Sequence, residues 1–137
     1  MFRILFAQGL NLKSRFLKFA VVGISGIFVN EGLLALLTEV FAVKVHWAGA
    51  IAIEVSIIHN FLLNNFWTWR DTRQKPFITR FIQYHSVALI SGSVNYIVLV
   101  GLTALGLHHL ISNMIGIGIG TLINFILNHY WTFGNIN

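Results

Sequence analysis

Six asparagines recur at matched positions inside stretches that are otherwise apolar, and their spacing is regular. Every fourth residue of one stretch reads Ala48, Ala52, Ser56, Asn60, Asn64, and of another Ser112, Gly116, Gly120, Asn124, Asn128. Steps of four advance about 40° around an α-helix, so each ladder is a groove of small residues ending in two amides one turn apart. Small residues let helix backbones approach closely, and Asn amides hydrogen-bond across helices where no water competes. Asn30 and Asn95 fall at a common depth in the two remaining apolar stretches. One reading makes Asn30, Asn60, Asn64, Asn95, Asn124 and Asn128 a packing seam. The other makes them one polar layer along which a polar substrate passes, because matched amides exceed what association needs at about 0.6 kcal/mol per bond.

Two acids interrupt the same stretches. Glu31 and Glu54 lie well inside apolar runs, and Tyr96 and Gly118 occupy the corresponding places further along. An ionised carboxylate at such depth costs at least about 2.5 kcal/mol unless it is paired or faces a cavity. Both are expected to be paired or cavity-facing, as proton- or substrate-handling groups or as neutral acids hydrogen-bonded to Asn or Ser. A third set is basic. Arg70, Arg73, Lys75 and Arg80 follow the aromatic residues Trp67 and Trp69, and Lys13, Arg15 and Lys18 precede the first apolar run. Lys18, Arg70, Arg73, Lys75 and Arg80 are candidates to hold a phosphate at headgroup depth. The plainer reading gives the basic residues a topological role and the aromatic residues, with Tyr84, Tyr130 and Trp131, a place in an interfacial belt.

Other chemistry is missing. His46, His59, His85, His108, His109 and His129 lack metal-site spacing, there is no cysteine, and no nucleotide loop or nucleophile motif appears. No metal, no cofactor and no covalent catalysis by this chain alone are expected.

The elements that position these residues follow from composition. With 56% hydrophobic and 9% charged residues and a mean hydropathy of +0.76, the chain cannot cover a water-soluble globule. Runs of about 20 residues cross a hydrocarbon core of about 30 Å. Four helices are expected, near Phe19 to Val43, Trp47 to Trp69, Phe81 to Gly106 and Leu110 to Phe133. The runs are too long for barrel strands and lack their alternation. Met1 to Leu12 is expected to form a short interfacial helix rather than a secretory signal, its apolar stretch being too short.

The fold class is therefore all-α, with four transmembrane helices as two repeated hairpins. The repeat is explicit. His59-Asn60-Phe61-Leu62-Leu63-Asn64-Asn65-Phe66-Trp67-Thr68-Trp69 matches Ile123-Asn124-Phe125-Ile126-Leu127-Asn128-His129-Tyr130-Trp131-Thr132-Phe133. Arg15-Phe16 likewise recurs as Arg80-Phe81, at an offset of 65 residues that becomes 64 after one deletion. Residues 1–137 are read as a single domain, with repeat 1 at about 15–69, a linker at 70–79 that contains the only proline, and repeat 2 at about 80–133. Arg3, Lys13, Arg15, Lys18, Arg70, Arg73, Lys75 and Arg80 fall on one side of the membrane and Lys44 alone on the other, so both termini and the linker are expected in the cytoplasm. The net charge of +5 reads as topology and attraction to anionic lipids, with no soluble face for nucleic acid.

Phe16-Leu17-Lys18-Phe19-x-x-Val22-Gly23, together with the twice-used Asn-Phe-x-x-Asn-x-x-Trp-Thr-[Trp/Phe], resembles the GtrA family of small four-helix membrane proteins. The resemblance runs from about Arg15 to Phe133, although repeat 2 has Gln83, Tyr84 and Ala88 where repeat 1 has Lys18, Phe19 and Gly23. It implies a role in cell-surface polysaccharide synthesis at the cytoplasmic membrane, moving polyprenyl-phosphate-linked sugars between leaflets. Similar regions fused to polyprenyl-phosphate glycosyltransferases imply a second reading, a non-transporting anchor that presents lipid substrate to such an enzyme. The partners expected are the polyprenyl-phosphate sugar, membrane lipids, a glycosyltransferase and a second copy of the chain, since four helices make a thin wall around such a cargo. A third reading compares Glu31 with the acid in the first helix of small proton-coupled exporters, but the duplicated motif and the basic side argue against it.

Overall fold

The computed structural model describes the backbone of residues 2–134 and the side chains of residues 11–134. Four α-helices carry the described chain: α1 (Phe2–Ala35), α2 (Val45–Leu63), α3 (Phe77–Ala104) and α4 (His109–Leu127). Five-residue π-helical turns extend three of them, Leu36–Val40 after α1, Asn64–Thr68 after α2 and Asn128–Thr132 after α4. Stretches long and apolar enough to cross a membrane are Asn11–Val40, Val45–Thr68, Phe77–Ala104 and His109–Thr132. The protein is a multi-pass membrane protein of four helices.

The expected boundaries shift at two places for physical reasons. The helix expected over Met1 to Leu12 is not separate, because the backbone is helical from Phe2 into the first span without a break. Leu10, Leu12, Lys13 and Arg15 are good helix formers, and nothing there ends a helix. The third helix opens at Phe77 because Pro76, at φ −53° and ψ 146°, is its N-cap, and the Pro76 carbonyl accepts the Arg80 N–H at 3.1 Å.

The chain forms two compact units, Met1–Asp71 and Thr72–Asn137. In the first, α1 and α2 pack antiparallel with Val22, Gly26, Ala48, Ala52 and Phe61 buried. A methyl group on Gly26 would overlap the Asn60 amide, so the end of the Asn60 side chain on α2 is seated over Gly26 of α1. In the second, α3 and α4 repeat the arrangement with Ser91, Ser112, Gly116, Gly120 and Phe125 buried. Here Gly120 faces the Ser91 carbonyl and Gly116 faces Asn95. Large apolar side chains cover the outward surfaces, Phe28 at 75% and Leu89 at 72% exposure among them, as expected where lipid is the solvent.

The turns joining each pair show where the repeats differ by one residue. The α3 to α4 turn, 105–108, is a Schellman motif: Gly106 N–H bonds Thr103 O and Leu107 N–H bonds Leu102 O, both at 3.0 Å, with Gly106 at φ +96°. In the α1 to α2 turn Ala42 takes the place of Gly106 at φ 52°, and the closing bond runs from Val43 N–H to Leu37 O at 2.9 Å, one residue longer. From Asn30 to Ala42 the first repeat holds one residue more than the second does from Asn95 to Gly106. The π turn Leu36–Val40 lies inside that interval, and α3 runs through the matching stretch as plain α-helix. An extra residue inside a helix is accommodated by widening one turn.

Candidate functional site

Each repeated Asn-x-x-x-Thr-[Trp/Phe] ending forms the same local structure. Asn64 and Asn128 open the π turns, and the N–H of Trp69 and of Phe133 reaches back five residues to the Asn64 and Asn128 carbonyls at 2.9 Å. The wider turn brings Asn64, Asn65, Thr68 and Trp69 inward together, all four buried. An aromatic pair closes each turn at the open end of its hairpin, the end opposite the connecting turn. Phe19 meets Trp69 edge-on at 5.9 Å in the first unit, and Tyr84 meets Phe133 at 6.3 Å in the second. Trp69 and Tyr84 therefore belong to the packed interior and not to an interfacial belt, whereas Trp67, Tyr130 and Trp131 are exposed.

At the open end of the first hairpin lies a pocket of about 220 Å³ lined by Asn11, Ser14, Arg15, Lys18, Trp67, Thr68, Arg70 and Asp71. The first four are one helical stripe, spaced i, i+3, i+4, i+7 on α1, and the rest come from the π turn of α2 and the residues after it. Arg15 Nη2 donates to Asp71 Oδ2 at 2.7 Å, with the Arg15 side chain 15% exposed and that of Asp71 60%. The Lys18 ammonium sits 5.6 Å from the Trp67 ring centre. Three cations and one carboxylate thus share a small cleft beside an exposed aromatic ring.

The floor of this pocket continues into the seam. Thr68 Oγ1 donates to Asn64 Oδ1 at 2.8 Å, and one turn further in Asn60 lies against Gly26 with its buried Oδ1 lacking a hydrogen-bond partner among the described residues. Beside it Ser25 Oγ donates to Val22 O at 2.7 Å and meets His59 Nε2 at 3.0 Å. His59 accordingly donates to the serine oxygen, because that hydroxyl proton is already engaged. Further along α1, Asn30 has a buried Oδ1 without a hydrogen-bond partner among the described residues, and its Nδ2 lies 3.5 Å from Glu31 Oε1. The seam of the first hairpin is therefore polar from Thr68 through Asn64 and Asn60 to Asn30.

The second hairpin uses the same positions differently. Asn128 Nδ2 donates to Asn124 O at 3.0 Å and Asn124 Oδ1 at 2.7 Å, and the buried Asn128 Oδ1 and Thr132 Oγ1 have no hydrogen-bond partner among the described residues. Asn95 faces Gly116 from α3. At the open end, Lys75 Nζ donates to Trp131 O and lies 3.5 Å from Gln83 Oε1, and Arg80 Nε donates to Lys75 O at 3.0 Å. Arg80 is buried at 6% exposure and stacks near Phe77.

Among the basic residues singled out in the sequence, Lys18 and Arg70 come together with Arg15. Lys75 and Arg80 are bonded within the second hairpin, and Arg73 is exposed. Glu31 and Glu54 are both exposed on the outward surfaces of α1 and α2 rather than in the seam. Sequence reasoning overlooked the Ser25 and His59 pair, whose signal is the matched replacement of both by Ile90 and Ile123 in repeat 2. It also passed over Asn11, Ser14 and Asp71 as pocket residues, although the spacing of 11, 14, 15 and 18 marks one helix face.

The arrangement of a duplicated hairpin with Asn-Phe-x-x-Asn closing each second helix agrees with comparison to known proteins. The model of the GtrA/DPMS transmembrane domain matches residues 18–135. The chain belongs to the GtrA/DPMS family. A dolichol-phosphate mannosyltransferase of Pyrococcus furiosus is 39% identical over 119 residues, a match that covers 87% of this GtrA/DPMS chain and 34% of that protein. The chain thus spans about a third of the length of the curated relative it matches.

Proposed function

We propose that this GtrA/DPMS protein serves cell-surface polysaccharide synthesis by moving polyprenyl-phosphate-linked sugars across the cytoplasmic membrane, as a single domain with its termini and the 70–79 linker in the cytoplasm. The observation that carries this reading is the continuity of the first hairpin. A basic pocket at its open end shares Thr68 with a polar run through Asn64 and Asn60 to Asn30. A lipid-linked sugar needs its phosphate held by cations and its hydroxyls exchanged among amides while its tail stays in lipid. Asn95, Asn124 and Asn128 hold the matching positions of the second hairpin. The chain's relation to a dolichol-phosphate mannosyltransferase supports the class of lipid. Four helices enclose little space, so the working unit is a homodimer or a complex with a glycosyltransferase. The chain itself catalyses no covalent step.

The test is the movement of a radiolabelled polyprenyl-phosphate sugar between leaflets of proteoliposomes holding only this protein. Crossing that Asn64→Ala/Asn128→Ala removes is the expected result, and crossing unchanged by the double substitution refutes the path.

A second reading rests on one fact, that the matched relative is named as a transferase and this chain spans about a third of it. In that reading the protein anchors a separate glycosyltransferase and presents its lipid. Bound lipid without crossing, and a transferase that loses activity on membrane-embedded lipid when this protein is absent, would favour it. The exporter reading gains nothing from Glu31, which is exposed on α1.

A further inference from the structure

We infer that the lipid phosphate is bound at the open end of the first hairpin alone, by Arg15, Lys18 and Arg70, and that Asp71 holds Arg15 as an internal stand-in for that phosphate. This rests on the reading of the chain as a protein of lipid-linked phosphates, and it narrows the site to one of two duplicated places.

The duplication supplies the comparison. Asn11, Ser14, Arg15, Lys18, Trp67 and Thr68 correspond to Pro76, Thr79, Arg80, Gln83, Trp131 and Thr132. In the second hairpin the ammonium of Lys75 bonds the Trp131 carbonyl beside Gln83, and the Lys75 carbonyl takes the Arg80 guanidinium. There the basic groups are engaged by their own chain. In the sequence of the first hairpin Lys18 stands at the position of Gln83 and Leu10 at that of Lys75, and a pocket of about 220 Å³ lies beside Lys18. A volume below the roughly 300 Å³ of ordinary ligand sites admits a phosphate and the start of a sugar but not a polyprenyl tail. The tail is left in the surrounding lipid, past the exposed ring of Trp67.

The ligand is an anion by charge. Three cations against Asp71 leave the pocket at a formal excess of two positive charges, enough to balance a phosphate monoester dianion and more than a singly charged diester needs. The guanidinium of Arg15 is fork-shaped and already donates to a carboxylate at 2.7 Å, so a phosphate oxygen can take the place of Asp71 Oδ2 with the same geometry. Asp71 is 60% exposed and can swing into water when displaced. Binding therefore exchanges one anion for another on Arg15 and adds contacts to Lys18 and Arg70.

The experiment uses the full chain in nanodiscs of zwitterionic lipid, titrated with undecaprenyl phosphate, with inorganic phosphate and phosphatidylglycerol as separate arms. Wild type is expected to bind the polyprenyl phosphate. Lys18→Gln, which copies the residue of the second hairpin, weakens binding by about tenfold or more, since a hydrogen bond to a charged group is lost. Asp71→Asn tightens it by removing the competing carboxylate, and Lys75→Ala leaves it unchanged. These are changes at a pocket rim, and a thermal unfolding scan of each variant checks that the fold survives. Competition by inorganic phosphate at equal affinity keeps the phosphate site and assigns it to free phosphate. Equal affinity for phosphatidylglycerol assigns it to a bulk phospholipid headgroup. Binding indifferent to Lys18 and Asp71, or abolished by Lys75→Ala, overturns the inference. The two readings separate cleanly: binding that depends on Lys18 without leaflet crossing removes the flippase and keeps this site, and crossing indifferent to Lys18 does the reverse.

Discussion

Matched threonines in different surroundings give the sharpest residue-level test. Thr68 Oγ1 donates to Asn64 Oδ1 at 2.8 Å, while Thr132 Oγ1 is fully buried without a hydrogen-bond partner among the described residues. Replacement by valine keeps the shape and removes the hydroxyl. Thr68→Val is expected to destabilise by about 1 kcal/mol, and Thr132→Val to be neutral or mildly stabilising, because an unsatisfied hydroxyl is removed with it. Denaturant unfolding of the two variants in detergent micelles reads the difference. Equal losses would mean that Thr132 finds a partner. This contrast was not legible in the sequence, where both threonines end the same motif. Side-chain amides with two donors and one carbonyl can be satisfied in more than one way, and Asn128 turns to Asn124 where Asn64 takes Thr68. The acids were misleading for a related reason: depth in a span can be read from distance to its ends, but which face a residue occupies depends on where the partner helix lies. Glu31 and Glu54 are deep and yet exposed.

At the scale of elements, the hairpin seams depend on a few glycines, and their neighbours show which ones matter. A methyl group at Gly26 would meet the Asn60 amide and one at Gly116 the Asn95 side chain, whereas Gly23 has nothing within 4 Å. Gly116→Ala, whose methyl would also meet the Asn95 backbone carbonyl, is expected to destabilise by about 1–3 kcal/mol through overpacking, Gly26→Ala by less because the Asn60 amide can turn away, and Gly23→Ala to stay within about 0.5 kcal/mol of the parent. Thermal unfolding followed by circular dichroism would show it, and a Gly23→Ala loss as large as that of Gly116→Ala would contradict the seam. The four helices, their order and their pairing were readable because apolar runs of this length have one solution in a bilayer. The α4 ladder was readable too, since Ser112, Gly116, Gly120 and Asn128 are all buried as its period requires. The π turns were not readable, because a sliding count of 3.6 residues per turn has no term for a turn one residue wider. The deletion between the repeats was visible in the alignment of the halves, and only the structure locates its effect in Leu36–Val40.

For the whole molecule, the orientation proposed from the charge count has a direct test, made simple by the absence of native cysteine. Single substitutions Gln74→Cys and Leu107→Cys in sealed cells should react with a membrane-impermeant maleimide from opposite sides, Leu107→Cys from outside and Gln74→Cys only after permeabilisation. The inverse pattern would reverse the topology and place the basic pocket at the outer surface. The left-handed residue in the first connecting turn bears on the history of the molecule. Ala42 holds φ 52° where its duplicate is Gly106, at a cost of about 1 kcal/mol for a side chain in that region. Alanine and glycine codons differ by a single base, so relief from this cost lies one point mutation away, at the residue that the other copy of the same turn carries. The first turn is therefore a place where the protein has stability in reserve, and Ala42→Gly is the change that would release it.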